Sequence, residues 1–489
     1  MEMFKMLVDF VNTILWDYVL IFGLIGIGVF MTIKLKFLQF TRVIPALKKM
    51  IQDIINKRSV EEGKMSPFQA LSTAVAAQVG TGNIVGVATA IAAGGPGAAF
   101  WMIVSAFFGM ATIFAEAVLA QKYREIKEGE VTGGPAYYIK NGLKSKKLAM
   151  FFAILGIVEL GIVGTMVQSN SIAGSVSEAF GIPVFVIMIV LAVIVGLILM
   201  GGMGRIASFS EKVIPFMASL YILGSILIIF MNISNLIPAI KIIFVGAFSP
   251  EAIGGGVLGI TVQQTVRFGL ARGLFSNEAG IGSTPHSHAV ADVSHPAEQG
   301  FAAMIGVFIS TFIICISTVM VNLVSGAYNP NISAAEMTQE ATMMTQTGFT
   351  AGFGSFGGMF LAVCLSFFSL TTIIGWYFFA ESNVKFVFNS RAITLKIFKV
   401  FVIMALVVGT MIDATFVWEL TDMFMGMMAV PNIIALFLLS KEVREILDDY
   451  DLCVEKGNIH WEYQYQNLEE RKDSKGSVLR KGLSTTILK

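Results

Sequence analysis

The chain has 489 residues, 55% of them hydrophobic and only 14% charged, with a formal net charge of +1, against about 25% charged residues in ordinary soluble domains. With a mean hydropathy of +0.76, this excludes a collagen, a disordered chain and a nucleic-acid binder, and the three cysteines give no disulfide framework. What remains is a polytopic helical membrane protein, an all-α chain with the lipid bilayer as solvent.

Predominantly apolar runs of about 20 residues fall at 14–33, 68–93, 98–123, 149–176, 182–200, 211–233, 256–285, 299–325, 355–384, 395–415 and 420–440. They predict eleven transmembrane helices. Glu2 and Asp9 spoil a basic leader ahead of the first run and no small-residue cleavage site follows it, so it is expected to stay in the mature protein. Phe40, Val43, Ile44, Leu47, Met50, Ile51, Ile54 and Ile55 repeat at helical spacing opposite Lys48, Lys49, Asp53 and Lys57, which predicts an amphipathic helix lying on the inner membrane face.

Positive charge alternates between the connections. Lys34, Lys36, Arg42, Lys48, Lys49, Lys57, Arg58 and Lys64 follow the first run, Arg124 to Lys147 hold six more after the third, Arg205 follows the fifth and Arg391 the ninth. The connections after the second, fourth, eighth and tenth runs carry no Lys or Arg, and the one after the sixth only Lys241. The bias places the N-terminus outside and the C-terminus in the cytoplasm of a cell inner (plasma) membrane. Three parts follow: 1–66, an N-terminal transmembrane helix and interfacial helix; 67–440, a ten-helix core; 441–489, a cytoplasmic tail that reads as a helical extension followed by a solvated end.

Two runs are interrupted at mid-membrane depth. The second contains Gly80-Thr81-Gly82-Asn83 and Gly86, the seventh Ser276-Asn277-Glu278-Ala279-Gly280-Ile281-Gly282-Ser283-Thr284-Pro285. A broken membrane helix is costly unless its freed N–H and C=O groups find other partners, so such breaks point to a ligand; small-residue helix packing is the competing reading. The breaks begin five runs apart, an odd number, so they cross the membrane in opposite senses, the pattern of inverted repeats with discontinuous helices. Half-helix N-termini suit a carboxylate and unwound carbonyls a small cation. Glycines leave a small pocket, and the neutral Asn83 and Asn277 can hydrogen-bond a ligand without a counter-charge.

Gly80-Thr81-Gly82-Asn83-Ile84, Gly86-Val87-Ala88-Thr89, Gly94-Gly95-Pro96-Gly97-Ala98, Gly133-Gly134-Pro135, Phe275-Ser276-Asn277-Glu278-Ala279-Gly280 and Gly375-Trp376 resemble the alanine or glycine:cation symporter family over about residues 14–440. The resemblance implies a leucine-transporter fold of the amino acid-polyamine-organocation superfamily: one extra N-terminal helix and a 5+5 inverted-repeat core with two discontinuous helices. It implies sodium-coupled symport of a small neutral amino acid, alanine or glycine, with no enzymatic activity and no obligatory protein partner. Carried over by motif, Gly80, Thr81, Gly82, Asn83, Gln168, Phe275, Asn277, Gly280 and Trp376 would hold the amino acid. The sodium ion (Na+) would be held by the Ala76 and Val79 carbonyls with Thr371 and Thr372.

A proton-coupled carrier of the same fold is the alternative, and an amino-acid-gated channel or receptor a more distant one, since no run shows the hydrophilic stripe of a pore. Many family members have an alanine-rich run where this chain has Pro285-His286-Ser287-His288, Asp292 and His295. A metal site on His286, His288 and His295 is imaginable; a polar helix end facing the cytosol is the ordinary reading. Glu116, Glu159, Arg267, Arg272, Glu278 and Glu381 are ionisable groups within runs and so functional candidates; Arg267 and Arg272 are expected to pair with carboxylates at an outer gate.

Overall fold

The computed structural model describes residues 2–55, 64–127, 129–249, 261–329, 334–389 and 391–456. Lys57, Arg58, His460, most of the tail and the start of the seventh run lie outside them. Seventeen helices carry the described fold: α1 (Met3–Lys34), α2 (Leu38–Ile55), α3 (Pro67–Gln78), α4 (Gly82–Gly94), α5 (Ala98–Lys122), α6 (Pro135–Asn141), α7 (Lys146–Phe180), α8 (Val184–Leu199), α9 (Gly202–Met231), α10 (Ile233–Phe248), α11 (Val262–Asn277), α12 (Pro285–Ala289), α13 (Pro296–Val324), α14 (Ala334–Phe353), α15 (Ser355–Phe388), α16 (Ala392–Gly409) and α17 (Ala414–Glu455).

Eight of these helices are long and apolar enough to cross a membrane, or nine when the bent pair α3–α4 counts as one. The eleven predicted runs are reached only by adding α8 and α11, each of 16 residues and too short by that measure. Three helices, α6, α10 and α14, occupy what the sequence reading took as connections. The all-helical expectation also meets one exception, a two-stranded antiparallel hairpin, β1 (Glu125–Lys127) with β2 (Glu130–Thr132), pairing Ile126 with Val131.

The interior is built from α3, α4, α5, α11, α12, α13 and α15. Residues 70–78 of α3 are all buried and mostly Ala, Ser, Thr and Val, so neighbouring backbones approach closely. Large apolar side chains instead stand outward on α8, α9 and α16, among them Phe185, Phe216, Phe230 and Phe401, as a lipid-facing surface requires. On α2, Phe40, Ile44, Leu47 and Ile51 are exposed while Val43 and Met50 pack inward. The helix is therefore two-faced, as its periodicity predicts. The tail's predicted helical start is the last stretch of α17, tied back by Arg42 to Asp451 (2.5 Å) and by Arg444 to the Lys34 carbonyl (2.9 Å).

Candidate functional site

Helix α3 starts from a capping box, with Ser66 Oγ accepting Gln69 N–H and Gln69 Oε1 accepting Ser66 N–H. It stops at Val79, and the chain resumes as α4 bent by 53°. A Cβ on Gly80 would stand 2.3 Å from Thr372 Oγ1 and 3.1 Å from Gln168 Oε1. Only glycine lets the backbone pass here. Gln168 Oε1, from α7, accepts from Thr81 N–H (3.1 Å) and Thr81 Oγ1 (2.7 Å), and Thr81 Oγ1 also meets Ser369 Oγ at 2.8 Å. The buried amide nitrogen of the same glutamine has no protein partner. A buried donor left bare costs about 1–3 kcal/mol, so Nε2 is a donor still open to a partner.

The second break follows Asn277. Glu278 is left-handed at φ 57°, Gly280 and Gly282 both lie at φ 91°, and α12 begins at Pro285. A non-glycine residue at positive φ is strain of the kind that persists at functional sites. Gln78 Nε2 donates to the Asn277 carbonyl (2.8 Å) and Ser276 Oγ to the Gly82 carbonyl (3.3 Å), so the two breaks face and bind one another. Gly280 N–H donates to Glu116 Oε2 (3.1 Å), while Asn432 Nδ2 bridges Glu116 Oε1 (2.6 Å) and the Gly280 carbonyl (2.9 Å).

Asn83 and Asn277 are differently employed from expectation. Asn83 Oδ1 accepts Gly80 N–H (3.0 Å) and its Nδ2 reaches Ser310 and Cys315. Asn277 Oδ1 accepts Ala279 N–H (3.0 Å) and its Nδ2 lies 3.4 Å from Thr311 Oγ1. Both side chains shape the breaks by replacing lost helical partners.

Around Thr372 Oγ1 stand the carbonyls of Ala76 (2.9 Å), Ala77 (3.3 Å), Val79 (3.4 Å) and Phe368 (3.0 Å). One hydroxyl proton serves one of these at a time, so the cluster is richer in acceptors than in donors and fits a small cation. Thr371 meets the cluster only at the Phe368 carbonyl, to which its hydroxyl donates (2.8 Å) beside Met217 Sδ (3.7 Å).

Phe275 and Trp376 wall the region, ring centroids 6.0 Å apart, and Phe275 lies 4.9 Å from Trp418. Trp376 Nε1 donates to Glu278 Oε1 (2.5 Å), and Ser283 Oγ to its other oxygen (2.5 Å). Above Trp418, Arg272 holds Asp422 through two bonds of 2.6 and 2.8 Å, its guanidinium 5.0 Å from the Trp418 ring. Arg267 pairs with Asp17 at 2.7 Å. Both arginines thus have the carboxylate partners expected of them.

At the opposite end, Met65 N–H donates to the Val290 carbonyl (3.0 Å) and Asp292 N–H to the Met65 carbonyl (2.8 Å), with Lys64 3.3 Å from Asp292. The start of the first interrupted helix and the end of the second are stitched together there. Arg124 Nη1 donates to the carbonyls of Ala289 (3.1 Å) and Ala291 (2.7 Å), and Gln121 Nε2 to that of Ala291 (3.0 Å). The histidines correct the reading of a polar end facing solvent: His286, His288 and His295 are at most 1% exposed. Each has its own partners, Ser283 and Asn383 for His286, Gln299 for His288, Asp449 and Ala297 N–H for His295. Among the described residues no group of His, Cys, Asp and Glu could hold a metal ion.

Sequence reasoning missed Gln78, Ser310, Thr311, Asn432, the Phe368 carbonyl and Thr318, whose hydroxyl donates to the Asn83 carbonyl (2.7 Å). Ser310 and Thr311 sit in a π-helical stretch of α13, Phe308–Cys315, which turns them toward both breaks. Their signal was a set of hydroxyls inside an otherwise apolar run, and for Asn432 a polar residue after Pro431.

Two interrupted helices facing each other between apolar spans are the anatomy of a multi-pass membrane transporter. The chain belongs to the sodium:alanine symporter family, whose sequence profile matches residues 1–464. It is 40% identical over 461 residues to YrbD of Bacillus subtilis, provisionally named a sodium/proton-dependent alanine carrier protein, covering 92% of this chain and 93% of that one. It is 38% identical over 443 residues to the sodium/alanine symporter AgcS of Methanococcus maripaludis, covering 89% of this chain and 95% of that one. A solved manganese transporter of Eremococcus coleocola superposes with a TM-score of 0.48 at 14% identity, over 81% of each chain, too remote to bear on the site.

Proposed function

We propose that the protein is a sodium-coupled symporter of a small neutral amino acid, alanine or glycine, working by alternating access. The observation that carries this is the pairing, at Gly80, of an unpartnered Gln168 amide with the carbonyl cluster around Thr372. The amino acid's carboxylate would sit against the peptide groups of Gly80, Thr81 and Gly82 and the Gln168 amide. Phe275 and Trp376 limit its size, Asn83, Asn277 and Gly280 hold the breaks open, and sodium is bound by the carbonyls of Ala76, Val79 and Phe368 with Thr372, and by Thr371 once its hydroxyl turns. Neutral oxygens suit a monovalent ion.

The matching architecture is a leucine-transporter core of ten spans at residues 67–440 in two inverted halves, preceded by the helix and interfacial helix of 1–66 and followed by the tail of 441–489. This makes eleven spans in a cell inner (plasma) membrane, counting α8 and α11, with the N-terminus outside and the tail in the cytoplasm. Coupling then needs no covalent chemistry. A potential of 100 mV contributes about 2.3 kcal/mol per cation and a tenfold sodium gradient about 1.4 kcal/mol, enough for accumulation of several hundredfold. Uptake of labelled alanine or glycine into vesicles is expected to collapse when sodium is replaced by choline. Uptake indifferent to that exchange, but driven by a pH gradient, would replace sodium with the proton, which the name of YrbD gives beside sodium.

A further inference from the structure

Three carboxyl groups are completely buried within the spans, Glu116, Glu159 and Glu278, and among the described residues none has a cationic partner. Two are well served. Glu116 takes N–H donors on both oxygens, and Glu278 takes Trp376 and Ser283, one on each oxygen. Glu159 differs: Oε1 meets Thr421 Oγ1 at 3.1 Å, and Oε2 has no hydrogen-bond partner. An ionised carboxylate with a bare oxygen in a dry interior is costly by several kcal/mol. A protonated one leaves bare only a neutral oxygen.

Its position is not that of a passive core residue. Glu159 opens a π-helical bulge of α7, Glu159–Val163, and one residue past the bulge Gly164 carries the Trp376 ring, which would stand 2.2 Å from a Cβ there. Its one partner, Thr421, directly precedes Asp422, the carboxylate that Arg272 holds. Two charged groups act on it, Asp422 from α17 and Glu278 from the second break, both acidic. The remaining charges on the packed helices are engaged or stand toward helix ends. On α15, Glu381 and Lys385 pair with each other at 3.0 Å. On α16, Lys399 donates to the Leu199 carbonyl (2.9 Å) and Lys396 is one turn away at the same end. Lys146, Lys147 and Glu178 lie at the two ends of α7, Asp413 at the start of α17 and Glu419 two residues before Thr421, and Lys5 and Asp9 lie at the start of α1, whose Val8 packs with Val163 and Leu420.

We propose that Glu159 is a proton-binding site linked to the Arg272–Asp422 closure: it takes a proton from water as that pair closes and returns it when the pair parts. Parting exposes the Thr421 face of α17 to water, through which one proton leaves the carboxyl oxygen for solvent; closing reverses the transfer, and no other bond changes. Closure therefore consumes a proton, so acid on that side favours it and alkali opposes it. The proposal uses the symport reading only for the opening of this end.

The test is infrared difference spectroscopy of the purified protein in lipid, with neither sodium nor amino acid added, comparing wild type with Glu159→Gln near pH 6, on the acid side that favours the closed Arg272–Asp422 pair. The expected spectrum contains the carbonyl stretch of a protonated carboxylic acid, shifted in heavy water. Carboxylate bands in its place overturn the proposal. In vesicles, wild-type alanine uptake is expected to fall several-fold as the pH on the Arg272 side rises from about 5 to about 8, whereas Glu159→Gln is expected to be flat. A variant with the wild-type pH profile overturns it, and so does one that fails to fold, because a carboxamide closely mimics a protonated carboxyl. Loss of sodium dependence would defeat the symport reading and leave the infrared result standing.

Discussion

The two ends of the interrupted helices are closed by different chemistry. At the Arg272 end the closure is made of side chains: a two-bond ion pair to Asp422, a guanidinium over Trp418, and Phe275 beneath. At the Arg124 end it is made of main chain, Met65 against Val290 and Asp292, with Arg124 and Gln121 capping freed carbonyls. Side chains can rotate apart and be rehydrated. Parting a backbone bridge bares peptide groups that need new partners at once, so the second closure should be stiffer and less sensitive to salt.

The largest test of that contrast removes one member of the ion pair. Arg272→Ala is expected to cost about 3–5 kcal/mol of closure, because Asp422 is left partly buried and alone, and to lower initial uptake at least tenfold. The reversed pair, Arg272→Asp with Asp422→Arg, should recover part of that rate.

Next in size is a pH effect confined to the Arg124 end. His295 Nδ1 accepts Ala297 N–H, and burial pushes the ring's pKa down to about 4, with Asp449 opposing. An unfolded histidine protonates near 6.5. Below that pH the unfolded chain binds more protons than the folded one, so stability present above about 6.5 is lost as pH falls toward 4, by at most about 3 kcal/mol. Thermal melts of wild type and His295→Gln across this window read it directly.

Arg124→Ala leaves the Ala289 and Ala291 carbonyls a donor short, for about 1–3 kcal/mol. Faster labelling of a cysteine placed at Ser287 would register it. The smallest effect is expected from Trp418→Leu, which removes a cation–π contact of about 0.5–2 kcal/mol and should make the Arg272 closure more salt-sensitive, with uptake reduced a few-fold. Equal responses of the two ends to added salt would erase the contrast.

The interruptions were legible in the sequence because glycine beside polar residues at mid-membrane depth has few other uses. The carbonyls of Ala76 and Val79 lie 2.9 and 3.4 Å from the Thr372 hydroxyl. What the sequence hid was contact across distant segments. Nothing local tells that Asn83 spends its amide on Ser310 and Cys315, or that His286, next to a proline and read as solvent-facing, is flanked by Phe152 and Phe379. The π-helical stretches were likewise invisible, since one extra residue per turn leaves apolar composition unchanged. Short helices such as α10 escaped a window tuned to 20 residues.

One helix reaches both ends, through Asp422 to Arg272 and through Asp449 to His295. Asp422 and Asp449 both belong to α17, about 40 Å apart at 1.5 Å per residue. Between them Pro431 omits a backbone donor, and Asn432 is pinned to Glu116 and the Gly280 carbonyl. Under the alternating access proposed above, such a rod would act as a seesaw with its fulcrum at the second break. A tilt that freed one arm would load the other, so that both doors would not stand ajar together.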